Sequence, residues 1–106
     1  MAGRPSVEAV FAALADPTRR TVLDQLASQG PLSATQLAQR FPVTRQAVVK
    51  HLTALAEAGL VSSERSGREV RYQVSASGLD DVVQWLTTVG QRWDDRVAAL
   101  VRHLSE

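Results

Sequence analysis

Thr44, Arg45, Gln46 and Lys50 fall within seven residues of one another, with Val49 among them, and together they carry the side chains that read nucleic acid. An arginine grips guanine through two parallel hydrogen bonds, and a glutamine does the same for adenine. The Lys50 ammonium lacks that fork and suits a phosphate better than a base. Some fifteen to twenty residues on come Arg65, Arg68 and Arg71, whose guanidiniums fit phosphate oxygens or a narrow minor groove.

The surrounding residues say how these groups are held. Val48, Leu52 and Leu55 recur at spacings of four and three, which gives a helix with one apolar stripe and leaves Arg45, Gln46 and Lys50 on the other side. Thr44 caps that helix and Gly59 ends it. Two strands follow, about Val61 to Arg65 and Glu69 to Val74. In the second, Val70, Tyr72 and Val74 alternate with Glu69, Arg71 and Gln73. Ser66-Gly67 makes the turn between them.

Upstream, Ser6 caps a first helix with Val7, Val10, Phe11 and Leu14 on one face. Asp16-Pro17 starts a second helix, the carboxylate as N-cap and the proline at a position whose N–H has no helical partner. That helix carries Val22, Leu23 and Leu26 inward and stops at Gly30-Pro31. Ser33 and Gln36 form a capping box for a third helix. Its buried side is Leu37, Ala38 and Phe41, and Pro42 ends it at Phe41. A last helix spans about Gly78 to Leu104. It has more apolar positions than a small core obviously covers, and Gly90 interrupts it as the mark of a bend or of a close helix–helix approach. The third and fourth helices form a helix-turn-helix. With the hairpin they predict a mainly α, winged helix-turn-helix domain, ordered α-α-α-α-β-β-α.

The 106 residues suffice for one domain, and 44% are hydrophobic. Net charge is only +1, but its distribution is uneven. Residues 40–75 hold six basic and three acidic side chains, whereas residues 76–106 hold three basic and five acidic. The positive excess lies on the segment suited to nucleic acid. No cysteine is present, so thiolate metal sites and thiol redox chemistry are excluded. There is no apolar run of membrane-spanning length and no apolar segment after Met1–Pro5 to act as a secretory signal, so the expectation is a cytoplasmic protein without membrane contact.

Three segments carry a family resemblance: LADPTRRTVLDQL (Leu14 to Leu26), LAQRFPVTRQAVVKHLTALAEAGLV (Leu37 to Val61) and GREVRY (Gly67 to Tyr72). In this order and spacing the chain resembles the ArsR family of bacterial winged-helix repressors over nearly its whole length. The resemblance implies a homodimer built from the first and last helices, binding an inverted-repeat DNA operator and repressing transcription. It places Val7, Val10, Phe11, Leu14, Leu86, Trp93, Val97 and Leu100 at the dimer interface. Trp85 and Trp93 read as core or interface residues rather than as a ligand box.

Metal sensing within that family uses residues this chain largely lacks. One class places cysteines on the third helix, where Ser33 and Thr35 stand here. Another uses Asp and His along the last helix, of which only His103 and Glu106 match, as weak candidates. Asp94 and Asp95 could contribute carboxylates to a different nickel- or zinc-type site across a dimer, but no spacing argument demands one. No cofactor is expected. His51, next to the core position Leu52, reads first as a hydrogen-bonded structural histidine, with phosphate contact as the alternative. Arg68 and Arg71 have Glu64 and Glu69 as alternative partners across the hairpin.

Against the DNA-binding regulator stand a winged-helix protein-interaction module and an enzyme. The first predicts weakly salt-dependent binding through the Thr44–Lys50 surface. The second finds two histidines, no cysteine, no Gly-rich phosphate loop and no nucleophile–base pair. The operator, the regulated genes, the choice between repression and activation, and the existence of an effector are not encoded in these patterns.

Overall fold

The computed structural model describes residues 7–105. Five helices and three strands follow in the order α1 (Val7–Leu14), α2 (Pro17–Gln29), β1 (Leu32–Ser33), α3 (Ala34–Ala38), α4 (Arg45–Glu57), β2 (Val61–Ser66), β3 (Glu69–Val74) and α5 (Ser77–Ser105). The expected cap of α1, Ser6, lies outside the described residues.

The helix starts form as the sequence dictates. The Asp16 carboxylate accepts from the amides of Thr18 (2.8 Å) and Arg19 (3.2 Å). The Ser33 hydroxyl accepts from the Gln36 amide at 3.1 Å, and the Gln36 side-chain oxygen accepts from the Ser33 amide at 2.9 Å, which closes the capping box. The Thr44 hydroxyl accepts from the Ala47 amide at 3.1 Å. Each cap satisfies amides that the first helical turn leaves without partners.

The core is shared among the elements. Val10 of α1, Val22 and Leu26 of α2, Leu37 of α3, Val48, Leu52 and Leu55 of α4, and Leu60 just beyond it are all fully buried. Each such side chain contributes about 1.5–3 kcal/mol relative to exposure. Gly59, at φ +73°, turns the chain out of α4. A Cβ on Gly78 would collide with the Ala58 carbonyl oxygen, so glycine is required where α5 starts against the end of α4.

Four details depart from the sequence reading. The third helix ends at Ala38 rather than Phe41. Its last turn closes through Gln39 N–H to Thr35 and Arg40 N–H to Leu37, before Pro42 takes effect. Leu32 and Ser33 form an unexpected short strand. It pairs antiparallel with β3, Leu32 opposite Tyr72, so the sheet order is β1-β3-β2. The hairpin turn is Gly67-Arg68, because Ser66 is still paired with Glu69. Gly67 has φ +63°, and Arg68 does not share a positive φ, as a II′-type turn requires. Finally, α5 runs unbroken through Gly90 for 29 residues.

Candidate nucleic-acid interface

The buried stripe Val48–Leu52–Leu55 fixes the roll of α4 about its axis. Arg45, Gln46 and Lys50 are thereby exposed, and Val49 is half-buried at the edge of the core. The positive dipole end of the helix lies at the same end as Arg45 and Gln46. Thr53 extends this exposed face by a turn, its hydroxyl bonded back to the Val49 carbonyl at 2.9 Å.

Between α4 and the hairpin lies a solvent-open groove of about 530 Å³, lined by Arg45 and Val49 on one side and Arg68, Glu69, Val70 and Tyr72 on the other. Ser33, Thr35 and Gln36 form its floor. Arg45 is not a loose surface arginine. Its Nε donates to the Thr35 hydroxyl at 3.2 Å, which ties the start of α4 to α3 and leaves its terminal nitrogens to point elsewhere. Thr35 is therefore a site residue of a different kind from the one the family resemblance suggested. Its partner lies ten residues away, and no spacing pattern announces it.

The pleat of the hairpin separates its three arginines. Arg65 is paired with Val70 and so shares a face with Val70 and Tyr72, toward the groove. Its Nε donates to the Gly67 carbonyl at 3.2 Å, which stiffens the tip. Arg68 occupies the tip itself. Arg71, paired with Glu64, stands on the opposite face, beside Glu64, Ser66 and Gln73. There it forms an ion pair with Glu69 at 3.2 Å, both side chains about half exposed. A pair so solvated is worth little and exchanges readily for another anion. The structure thus gathers Arg45, Val49 and Arg68 around one groove, sets Arg65 on the same face of the ribbon, and leaves Arg71 behind it.

His51 is placed differently from the expected hydrogen-bonded histidine. Its Nδ1 is buried without a hydrogen-bond partner, as is the Nε of Arg19. Both side chains lie near the Asp16 carboxylate, which is held below the usual carboxylate range, chiefly by the hydrogen bond from the Arg19 amide. His51 is thus turned toward the junction of α2 and α4 rather than outward with Lys50.

The residues assigned to assembly divide as well. Val10 is fully buried in the protomer's own core, a correction to its placement at an interface: α1 packs within the protomer against α5, α2 and α4. Val7 and Leu14 pack partly against the same core. Phe11 is 43% exposed and meets Trp85 edge-on, ring centroids 5.7 Å apart at 75°. Leu86, Trp93, Val97 and Leu100 are all exposed along α5, with Val83, Val89, Val101 and Leu104 beside them. His103 is exposed in the last turn of α5, and Glu106 lies outside the described residues. Among the described residues no three His, Cys, Asp or Glu side chains converge as a metal site. None of the described helices is long and apolar enough to cross a membrane.

Comparison with known proteins places this geometry. Residues 14–64, from the end of α1 into β2, match the helix-turn-helix domain family. The transcriptional repressor SdpR of Bacillus subtilis is 31% identical over 86 residues, covering 81% of this chain and 94% of the repressor. The solved ArsR-like transcriptional regulator from Rhodococcus sp. RHA1 is 45% identical, with a TM-score of 0.78 over 89% of this chain and 88% of that one. The homodimeric winged helix-turn-helix DNA-binding domain Mb0332 from Mycobacterium bovis is 28% identical, with a TM-score of 0.62 over 86% and 81% of the two chains. These are regulators and not enzymes, and the helix-turn-helix with its groove and basic ribbon is the part of this molecule suited to DNA. The chain belongs to the ArsR family of winged helix-turn-helix transcriptional regulators.

Proposed function

We propose that the protein is a homodimeric, cytoplasmic repressor that binds an inverted-repeat operator, with the first two turns of each α4 in a major groove and each hairpin lying against the neighbouring backbone. The observation that carries this reading is the groove itself. Arg45 and Val49 on a core-locked helix face Arg68 across a space open to solvent, and Gln46 and Lys50 continue the same helical face. In this reading Arg45 and Gln46 hydrogen-bond base edges, Val49 lies against a thymine methyl, and Thr44 and Lys50 hold phosphates. Arg65 and Arg68 follow the backbone or enter the minor groove, and Arg71 adds a weaker phosphate contact.

Dimerisation is supported by the homodimeric state of the Mycobacterium bovis domain and by the apolar face of α5, which the protomer leaves uncovered. Two copies related by a twofold axis would read half-sites about 34–36 Å apart, one turn of the duplex. The test is selection of bound genomic fragments by the purified protein, followed by footprinting over a range of salt. The expected result is a symmetric footprint with two half-sites and an affinity that falls steeply with salt. A single unpaired half-site would remove the dimeric reading, and salt-independent retention of a protein partner would replace DNA recognition by protein recognition.

A further inference from the structure

A second cleft, of about 240 Å³, opens between α1, the start of α2 and the C-terminal end of α4. Alanines of α1 and α4 form its walls, with Ala12 and Ala54 among them, and Arg19 and Glu57 line it with opposite charges. Glu57 lies twelve residues after Arg45, so the cleft is about 18 Å along the helix axis from the start of the recognition helix. None of the residues assigned to DNA contact or to assembly lines it.

The two charged side chains share the cleft without pairing. Among the described residues the Glu57 carboxylate has no hydrogen bond or ion pair, and the Arg19 side chain donates no hydrogen bond. Arg19 is nonetheless half-buried, and its Nε is closed off from water without an acceptor. The Asp16 carboxylate nearby is engaged by the Thr18 and Arg19 amides. A guanidinium drawn partly out of water ordinarily finds an acceptor, because leaving it without one is costly. The protomer supplies none, and the cleft is the open side from which a carboxylate can reach the terminal N–H groups, two at a time.

The charges decide what enters. A simple anion is drawn by Arg19 but repelled by Glu57, and a simple cation meets the reverse. A molecule that carries both charges satisfies both residues. The volume lies below the ~300–1,000 Å³ of pockets for drug-sized ligands, so the occupant is small. Around the two charges the walls offer only methyl groups. An α-amino acid is the smallest common molecule that sets a carboxylate and an ammonium beside an apolar group. We propose that this cleft binds a free α-amino acid with a small apolar side chain, its carboxylate on Arg19, its ammonium on Glu57 and its side chain against the alanines.

Such a ligand joins three helices, α1, α2 and the far end of the recognition helix. It touches neither Arg45 nor Gln46, so an amino acid and an operator can be held at once. The site goes beyond the function proposed above and does not depend on it. Because the ligand needs the three helices assembled, it binds the folded state alone and stabilises it by mass action.

The test is calorimetric titration of the protein with L-alanine, L-valine and L-leucine at millimolar concentration. Isovalerate and isobutylamine serve as comparisons, since they keep the side chain of valine and lose its ammonium or its carboxylate. The best of the three amino acids should bind at least tenfold more tightly than either analogue. Glu57→Gln and Ala12→Leu change exposed residues, and melting temperatures close to the parent's should show both variants folded. Glu57→Gln removes the partner of the ammonium, so amino-acid binding should fall at least tenfold and isovalerate should then bind as well as the amino acid. Ala12→Leu leaves both charges in place and fills the cleft, so it should abolish binding. Amino acids that bind no better than isovalerate, or as tightly to either variant as to the parent, overturn the proposal. So does an absence of binding by all three.

Discussion

Arg45 and Trp93 are both exposed in the protomer, but water treats them differently. The α4–hairpin face is polar: its guanidiniums, amide and ammonium are hydrated when free, and nothing forces it to be covered. The α5 face is apolar over some six turns, and covering it is favourable whatever covers it. In the proposed function one surface releases its ligand and the other keeps its partner. A regulator needs both, because affinity for DNA must answer to conditions while the geometry that spaces two recognition helices must not.

The largest expected effect comes from breaking the apolar side. Leu100→Asp puts a charge at the proposed dimer interface, where an unpaired carboxylate costs several kcal/mol. The protein should sediment as a folded monomer, and operator affinity should fall at least ~100-fold, about 2.7 kcal/mol. Unchanged operator binding by a monomeric variant would show that the two regions are not coupled.

Next in size are the base-reading residues. Arg45→Ala and Gln46→Ala should each cost roughly 1–3 kcal/mol on the operator and relax preference at particular positions. Thr35→Val sharpens this test, since it removes the partner of the Arg45 Nε and leaves the guanidinium in place. A weakening of about 0.5–1.5 kcal/mol confined to the position Arg45 reads would give Thr35 a positioning role. A weakening equal on all sequences would make it structural only. Arg68→Ala should lower affinity on every sequence and flatten the salt slope by ~0.9 for each phosphate that the protein ceases to neutralise. Arg71→Ala, from the far face of the ribbon, should do less of the same. Equal effects from both arginines would mean that the DNA touches both faces of the hairpin.

The two regions also differ in how far they can be read from the chain. The recognition helix is legible because local rules decide it: Thr44 must cap, Val48 and Leu52 must turn inward, and the polar side chains are left outside. The Asp16 and Ser33 caps are legible for the same reason. Local rules do not reach pairing at a distance. Leu32 and Tyr72 are forty residues apart, and the Thr35–Arg45 bond depends on how two helices cross. The alternation of β3 already sets Arg71 apart from Val70 and Tyr72; only the cross-strand partners, Arg65 with Val70 and Glu64 with Arg71, wait on the position of the turn at Gly67-Arg68. On α5 the stripe is plain in sequence, but local rules treat Gly90 only as a weak point. The structure instead carries the helix unbroken through Gly90, with open space around the glycine.

The smallest effect sits beneath both regions, at the start of α2. Asp16 accepts hydrogen bonds from the Thr18 and Arg19 amides. Its carboxyl is held below the usual range, mainly by the bond from Arg19, with desolvation opposing it and the nearby His51 and Arg19 charges adding to the lowering. A carboxylate whose pKa is depressed by folding stabilises the folded state above its unfolded pKa, and that contribution disappears as pH falls through the lower, folded value. The loss therefore belongs to the acid side, below the ordinary aspartate pKa of ~4. Asp16→Asn keeps an oxygen that can cap the helix but cannot titrate. At neutral pH the variant should melt close to the parent. Below pH ~4 the parent's melting temperature should fall faster than the variant's, with sedimentation at neutral pH unchanged. Parallel acid-side curves for the two proteins would mean that Asp16 gains nothing from its charge, and that the cap acts through its geometry alone.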